Sequence, residues 1–177
     1  MRAALLLIPC LLVADVAGCA CDPARPETLG SRDCGLCVEA EKHPPDTPLF
    51  FLKDINPRKP NRWLALPRAH GKAQHSLAAL APHERTRLWT AAIEKARSLF
   101  GDKWGLAING DEVRTQCHAH IHIGRLIEGM ETGSVVTVDG PAAIAAPPDG
   151  SGLWVHAEGS KLHVHTGEQL TETVLLR

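Results

Sequence analysis

The chain has 177 residues, 44% of them hydrophobic, enough for one ordinary domain and too few for two large ones. Its formal net charge is −1 and its sequence pI is about 6.8. With no long Lys/Arg run and no aromatic residues interleaved with basic ones, nucleic acid is excluded as an expected partner.

In chain order, Met1-Arg2 is a short basic start, and Ala3 to Val13 is an apolar run of 11 residues. That is signal-peptide length, short of the roughly 20 residues a bilayer span takes. Val16-Ala17-Gly18-Cys19 has the form of a bacterial lipobox, in which Cys19 becomes the lipidated first residue of the mature chain. A plain signal peptide cut after Ala20 is the alternative. Either implies export, and an anchor at Cys19 would hold the domain at the cell envelope, facing the periplasm. The expected organisation is a lipoprotein-type signal peptide over 1–18, a tether over 19–33 containing Pro23 and Pro26, a main domain over 34–130, and a loop with a small β extension over 131–177.

Leu49 to Lys53 and Trp63 to Leu66 are short apolar runs broken by Pro and Asn, and predict antiparallel strands. Pro82 opens a helix in which Leu88, Trp89, Ala92, Ile93, Ala96, Leu99 and Phe100 recur at spacings of three and four, with Gly101 as its stop. Gly140 to Gly152 reads as a loop. Leu153 to Ala157, Lys161 to His165 and Thr173 to Leu176 alternate like strands of a small terminal sheet. His163 and His165 share a face and invite a metal reading, but no carboxylate or thiol stands at a convincing spacing beside them. They are expected to be surface strand residues.

Cys34-Gly35-Leu36-Cys37 is a C-x-x-C, which in an exported chain can be a disulfide, a redox pair or half of a zinc site. The richest stretch is Cys117-His118-Ala119-His120-Ile121-His122-Ile123. A strand points successive side chains to opposite faces, so this spacing predicts three imidazoles on one side. Ala119, Ile121 and Ile123 would face a core, and Cys117 is read as a small core residue.

His118, His120, His122 and Ile123 fit the mark of the histidine triad superfamily, His-apolar-His-apolar-His followed by apolar residues, with Gly124 departing in the last place. Phe50 to His70 resembles that family's first half, ending in Pro-basic-X-His, and Trp104 to Asn109 resembles the strand before the triad. Around Leu106-Ala107-Ile108-Asn109, Arg114-Thr115-Gln116 and Leu52 to Pro57 the chain is most similar to the CDP-diacylglycerol pyrophosphatase branch. The resemblance spans roughly residues 34 to 127 and implies an α+β fold: an antiparallel sheet with one main packed helix, plus the small C-terminal β extension.

It also implies a chemistry. His120 would attack the α-phosphorus of a nucleotide to give a nucleotidyl-histidine, which water then hydrolyses. His122 would donate to a phosphoryl oxygen or orient His120, while Asn109, Thr115 and Gln116 bind oxygens and Arg114 counters their charge. Several family members, and the similar galactose-1-phosphate uridylyltransferases, build a structural zinc site from positions that here are Cys34, Cys37, His70 and His118, with His75 a substitute for His70. The substrate implied by the branch is CDP-diacylglycerol, cleaved to CMP and phosphatidate. The alternatives are a dinucleoside polyphosphate hydrolase or nucleoside phosphoramidase, or a non-catalytic, zinc-stabilised nucleotide-binding module. Members often form homodimers, and no interface signal in this sequence decides that point.

Overall fold

A computed structural model describes residues 19–71 and 74–177, so the expected signal peptide at 1–18 lies outside the described residues. Seven strands form one antiparallel sheet: β1 (Leu49–Lys53), β2 (Trp63–Pro67), β3 (Trp104–Ile108), β4 (Ile121–Arg125), β5 (Ser134–Val138), β6 (Gly152–Glu158) and β7 (Lys161–Glu168). Their order is β1-β2-β4-β3-β6-β7-β5. Among the described residues a short helix, α1 (Gly35–Glu41), and a long one, α2 (Pro82–Phe100), accompany the sheet, with brief 3-10 turns between elements. Among the described residues no helix is long and apolar enough to cross a membrane.

The apolar periodicity of α2 does what its spacing predicts. Leu88, Trp89, Ala92, Ile93 and Ala96 are buried and pack on one face of the sheet against Ala65, Leu106, Ile121, Ile123, Leu153 and Val155. Each large side chain buried this way stabilises by about 1.5–3 kcal/mol. Pro82 fits the first turn because it has no N–H to leave unpaired, and Glu84 turns back to accept from Ala81 N at 3.1 Å. Gly101 ends the helix at φ +59°, and Lys95 lies over the Trp63 ring at 4.3 Å.

The opposite face of the sheet holds the histidines. Helix α1 covers it over β1 and β2, where Leu36 and Ala40 meet Phe50, Leu64 and Leu66. The C-terminal segment covers it over β3, where Val174 and Leu175 pack on Ala107 and Trp154. Gly105 and Gly124, opposite each other in register, make room for that segment: a Cβ on Gly105 would stand 2.6 Å from Leu175 Cδ2, and one on Gly124 3.1 Å from Leu175 Cβ. The departure of Gly124 from the triad pattern therefore has a packing cause.

Three expectations need correction, and one strand went unforeseen. β5, β6 and β7 extend the main sheet through the β3–β6 pairing and do not form a separate one. Thr173 to Leu176 is not a strand; Thr171–Val174 is a 3-10 turn, and Leu175 makes a single bridge to Leu126. β5 was not expected at all. The segment 19–33 is not a loose tether: Cys21 is buried, 3-10 turns run over Pro26–Gly30 and Arg32–Cys34, and disulfides join Cys21 to Cys34 and Cys19 to Cys117.

Candidate functional site

The triad is less regular than its spacing implied. β4 begins at Ile121, so of the three histidines only His122 lies on a strand, and His118 and His120 occupy the irregular approach to it. The backbone there is held by side chains as well as by the sheet. His118 Nδ1 donates to Ala119 O at 2.9 Å, and His120 Nδ1 donates to His118 O at 2.7 Å. A neutral imidazole has one N–H, so both rings keep a bare Nε2.

His120 and His122, 4.8 Å apart between ring centres, line the floor of a cleft of about 670 Å³. Burial first, and then positive neighbours, push both rings far below the ordinary histidine range, to about 3. For His120 the neighbours that oppose its protonation are the ring of His122, which cannot be protonated alongside it, and Arg114; for His122 they are Lys59 and Arg62. Both are therefore neutral near pH 7. Neither nitrogen of His122 has a hydrogen-bond partner, although Nδ1 stands 3.5 Å from Glu172 Oε2. Buried polar atoms left this way are rare and call for an explanation such as a ligand.

The other expected oxygen binders are partly committed elsewhere. Asn109 lines the cleft, but its Oδ1 accepts from Glu172 N at 3.0 Å and so caps the C-terminal turn. Gln116 Oε1 accepts from Leu36 N at 3.0 Å, satisfying an orphan donor in the first turn of α1, and its Nε2 donates to Arg32 O. Arg114 is buried and bonded to Asp111 at 2.6 Å and to His75 O, while its Nε is unpartnered. Desolvation lowers its pKa despite the Asp111 charge. Thr115 is exposed at the rim.

The structure adds three residues the sequence reading passed over. Glu172 Oε2 accepts from Lys59 Nζ at 2.6 Å and from Arg62 Nη1 at 2.8 Å, beside His122. Arg62, fully buried, also donates to Glu172 O, Leu175 O and Leu176 O, and so clamps the C-terminal segment. The signal was the basic cluster Arg58-Lys59-Pro60-Asn61-Arg62 between β1 and β2, read only as a Pro-rich link. Apolar residues also line the cleft: Leu64, the cross-strand neighbour of His122, with Leu36, Val38, Leu52, Ile55 and Leu170. Ile55 is 89% exposed, and Val38 and Leu170 are also exposed.

The expected zinc donors are brought only partly together. His70 and His118 stack at 5.7 Å; His70 Nε2 donates to Glu41 at 2.5 Å, which leaves its Nδ1 bare, buried and unpartnered, as is His118 Nε2. Cys37 is free and buried, its thiol pushed up to about 11 by burial and by the Glu41 charge. Cys34, however, is bonded to Cys21, so the expected four-donor set does not fit this state of the chain. Cys19 meets the same conflict, because its bond to Cys117 takes up the thiol that lipidation would modify. Cys117 is accordingly a disulfide partner and no nucleophile.

Among the described residues, metal-compatible donors cluster at Glu131, His156, His163 and His165, while the clustered sulfurs of Cys19, Cys21 and Cys117 are already spent in the two disulfides. No protein-family model and no curated protein matches this chain.

Proposed function

We propose that the protein is a nucleotide phosphoanhydride hydrolase of the histidine triad type, acting through a nucleotidyl group on His120. The observation that carries the reading is the His120 ring itself: neutral, fixed by its Nδ1–H to His118 O, and bare at Nε2 on the floor of a cleft. In the first step Nε2 attacks the α-phosphorus, and the P–O bond to the leaving phosphate breaks, that oxygen taking the electron pair. The ring becomes cationic, and His118 O, already accepting from Nδ1, stabilises that charge in a low-dielectric site. Water then attacks the same phosphorus, one of its protons staying on the new P–OH and the other passing to solvent, while the P–N bond breaks, its electron pair returns to Nε2 and His120 becomes neutral again.

His122, with both nitrogens uncommitted, supplies a donor to a phosphoryl oxygen. Lys59 and the rim hydroxyl of Thr115 contribute charge and a further contact. Asn109 and Gln116 act mainly as positioning residues, since their oxygens hold the C-terminal turn and α1. Phosphoryl transfer demands positioning and charge stabilisation above all, which suits such a preorganised floor.

The apolar lining of the cleft, running out to exposed Ile55, Val38 and Leu170, favours a substrate with a lipid leaving group, namely CDP-diacylglycerol giving CMP and phosphatidate. Two disulfides agree with export to an oxidising compartment. A thioether anchor at Cys19 and the Cys19–Cys117 bond exclude each other, so membrane contact in this reading comes through the apolar rim.

The test is a substrate panel: CDP-diacylglycerol in detergent, a dinucleoside polyphosphate and a nucleoside phosphoramidate, each with wild type and His120→Ala. The lipid substrate is expected to turn over fastest, and His120→Ala to lose activity by 10³-fold or more, on the order seen when a catalytic nucleophile is removed. Faster cleavage of the soluble compounds would replace the lipid assignment with the general hydrolase. Undiminished activity in His120→Ala would remove the mechanism.

A further inference from the structure

A second group of histidines lies on the same face of the sheet, beyond β3 from the cleft. His156 of β6 stands opposite His163 of β7, and His165 follows two residues on, so all three rings share one side. Glu131, from the loop after β4, reaches over them, its carboxylate oxygens 3.9 Å from His156 Nε2 and 3.7 Å from His165 Nε2. The Trp154 ring stacks on His165 at 3.6 Å and backs the group.

The proton positions are what make this cluster informative. His156 Nδ1 donates to Ala157 O at 3.1 Å, and His165 Nδ1 donates to Thr132 O at 2.9 Å. Each neutral ring has then spent its one N–H, yet the two Nε2 atoms face each other 3.2 Å apart. Shifting either proton to Nε2 would set a bare Nδ1 against a carbonyl oxygen. His163 contributes a buried Nδ1 with no partner. Two opposed lone pairs and an orphan nitrogen are costly unless a cation sits among them.

The spacing suits one. A tetrahedral ion with metal–nitrogen bonds of about 2.0–2.1 Å separates its ligands by about 3.3 Å. One donor atom from each of the four residues falls within 4.8 Å of the others. A ring N–H given to a backbone carbonyl is also the outer contact that orients metal-bound histidines. Three imidazoles and one carboxylate, without thiolate, select a borderline divalent transition ion over calcium or magnesium, which take oxygen. We infer that Glu131, His156, His163 and His165 form a binding site for a divalent transition-metal ion of the zinc class. Its ligands would tie the loop carrying Glu131 and Thr132 to β6 and β7, which makes its role structural and independent of the nucleotide reading.

The test uses the full chain carrying no histidine tag. Zinc binding is measured by equilibrium dialysis with elemental analysis, and Co²⁺ is titrated in parallel for the visible absorption of a tetrahedral site. Wild type is compared with the double variant His156→Gln/His165→Gln, with Glu131→Gln, and with His70→Gln as the reference for the other candidate donors. The expected result is one equivalent lost in the double variant and retained in His70→Gln. Binding should weaken by more than the roughly 10–100-fold that loss of a mere supporting contact around a metal brings, because Glu131→Gln removes a ligand. Should the double variant fail to fold, Glu131→Gln decides alone, because its carboxylate is largely exposed. Absence of zinc from folded wild type, or equal affinity in wild type and Glu131→Gln, overturns the site.

Discussion

At the residue scale, two small features govern how the histidines are presented. One is the pair of glycines under Leu175. A methyl group at Gly105 has 2.6 Å to Leu175 Cδ2, too little for contact, so Gly105→Ala must push the C-terminal segment outward. A cost of about 1–3 kcal/mol is expected, the range for overpacking, and urea denaturation measures it directly. The other is burial of neutral imidazole. His122 is held at about 3 by desolvation and by Lys59 and Arg62, against about 6.5 in an unfolded chain. As pH falls below the unfolded value, the unfolded chain takes up a proton that the folded chain refuses. Stability therefore drops through the window from about 6.5 down to about 3, and this group contributes no slope above it. His122→Leu is expected to remove up to ~1.4 kcal/mol per pH unit from that slope, visible in urea midpoints taken across the window.

Between elements, the C-terminal segment is the piece that completes the cleft, and Arg62 is what holds it. The guanidinium is 2% exposed and spends its donors on Glu172, Leu175 and Leu176. Arg62→Met leaves the Glu172 carboxylate with Lys59 alone and frees three carbonyls. A loss of about 3–5 kcal/mol is expected, as when one partner of a buried pair is removed, with faster amide exchange over the segment in hydrogen-exchange measurements. None of this was legible in the sequence. The apolar period of α2 was readable because its partners lie on one helix face, the strands at Leu49 and Trp63 because they are short apolar runs between Pro and Asn, and those at Leu153 and Lys161 because alternation is local. Thr173 to Leu176 alternates equally well, yet its backbone turns, because Asn109 caps it and Arg62 gathers its carbonyls from more than 100 residues away. Long-range polar contacts of that kind leave no period to read.

For the molecule as a whole, one sheet carries two groups of histidines on one face, divided by β3 and the Leu175 plug. Spacing within a strand singled out His118, His120 and His122; it also put His163 and His165 on one face but read them as surface residues, whereas His165 is buried. It was silent on what stands across the strand boundary: His156, brought opposite by the β6–β7 register, and Glu131, brought over by a loop. The cysteines are the same lesson in covalent form, since C-x-x-C spacing suggested a pair that the fold divides between a bond to Cys21 and a free Cys37.

The central claim is that His120 Nε2 carries the nucleotidyl group. The most direct measurement is a single-turnover reaction of the full chain with CDP-diacylglycerol radiolabelled at the cytidylyl phosphorus, quenched in base and digested to peptides. The account predicts label on the peptide containing His120, lost on acid treatment as a phosphoramidate is, and absent from His120→Ala. Release of labelled CMP by wild type with no label ever passing through that peptide would contradict it.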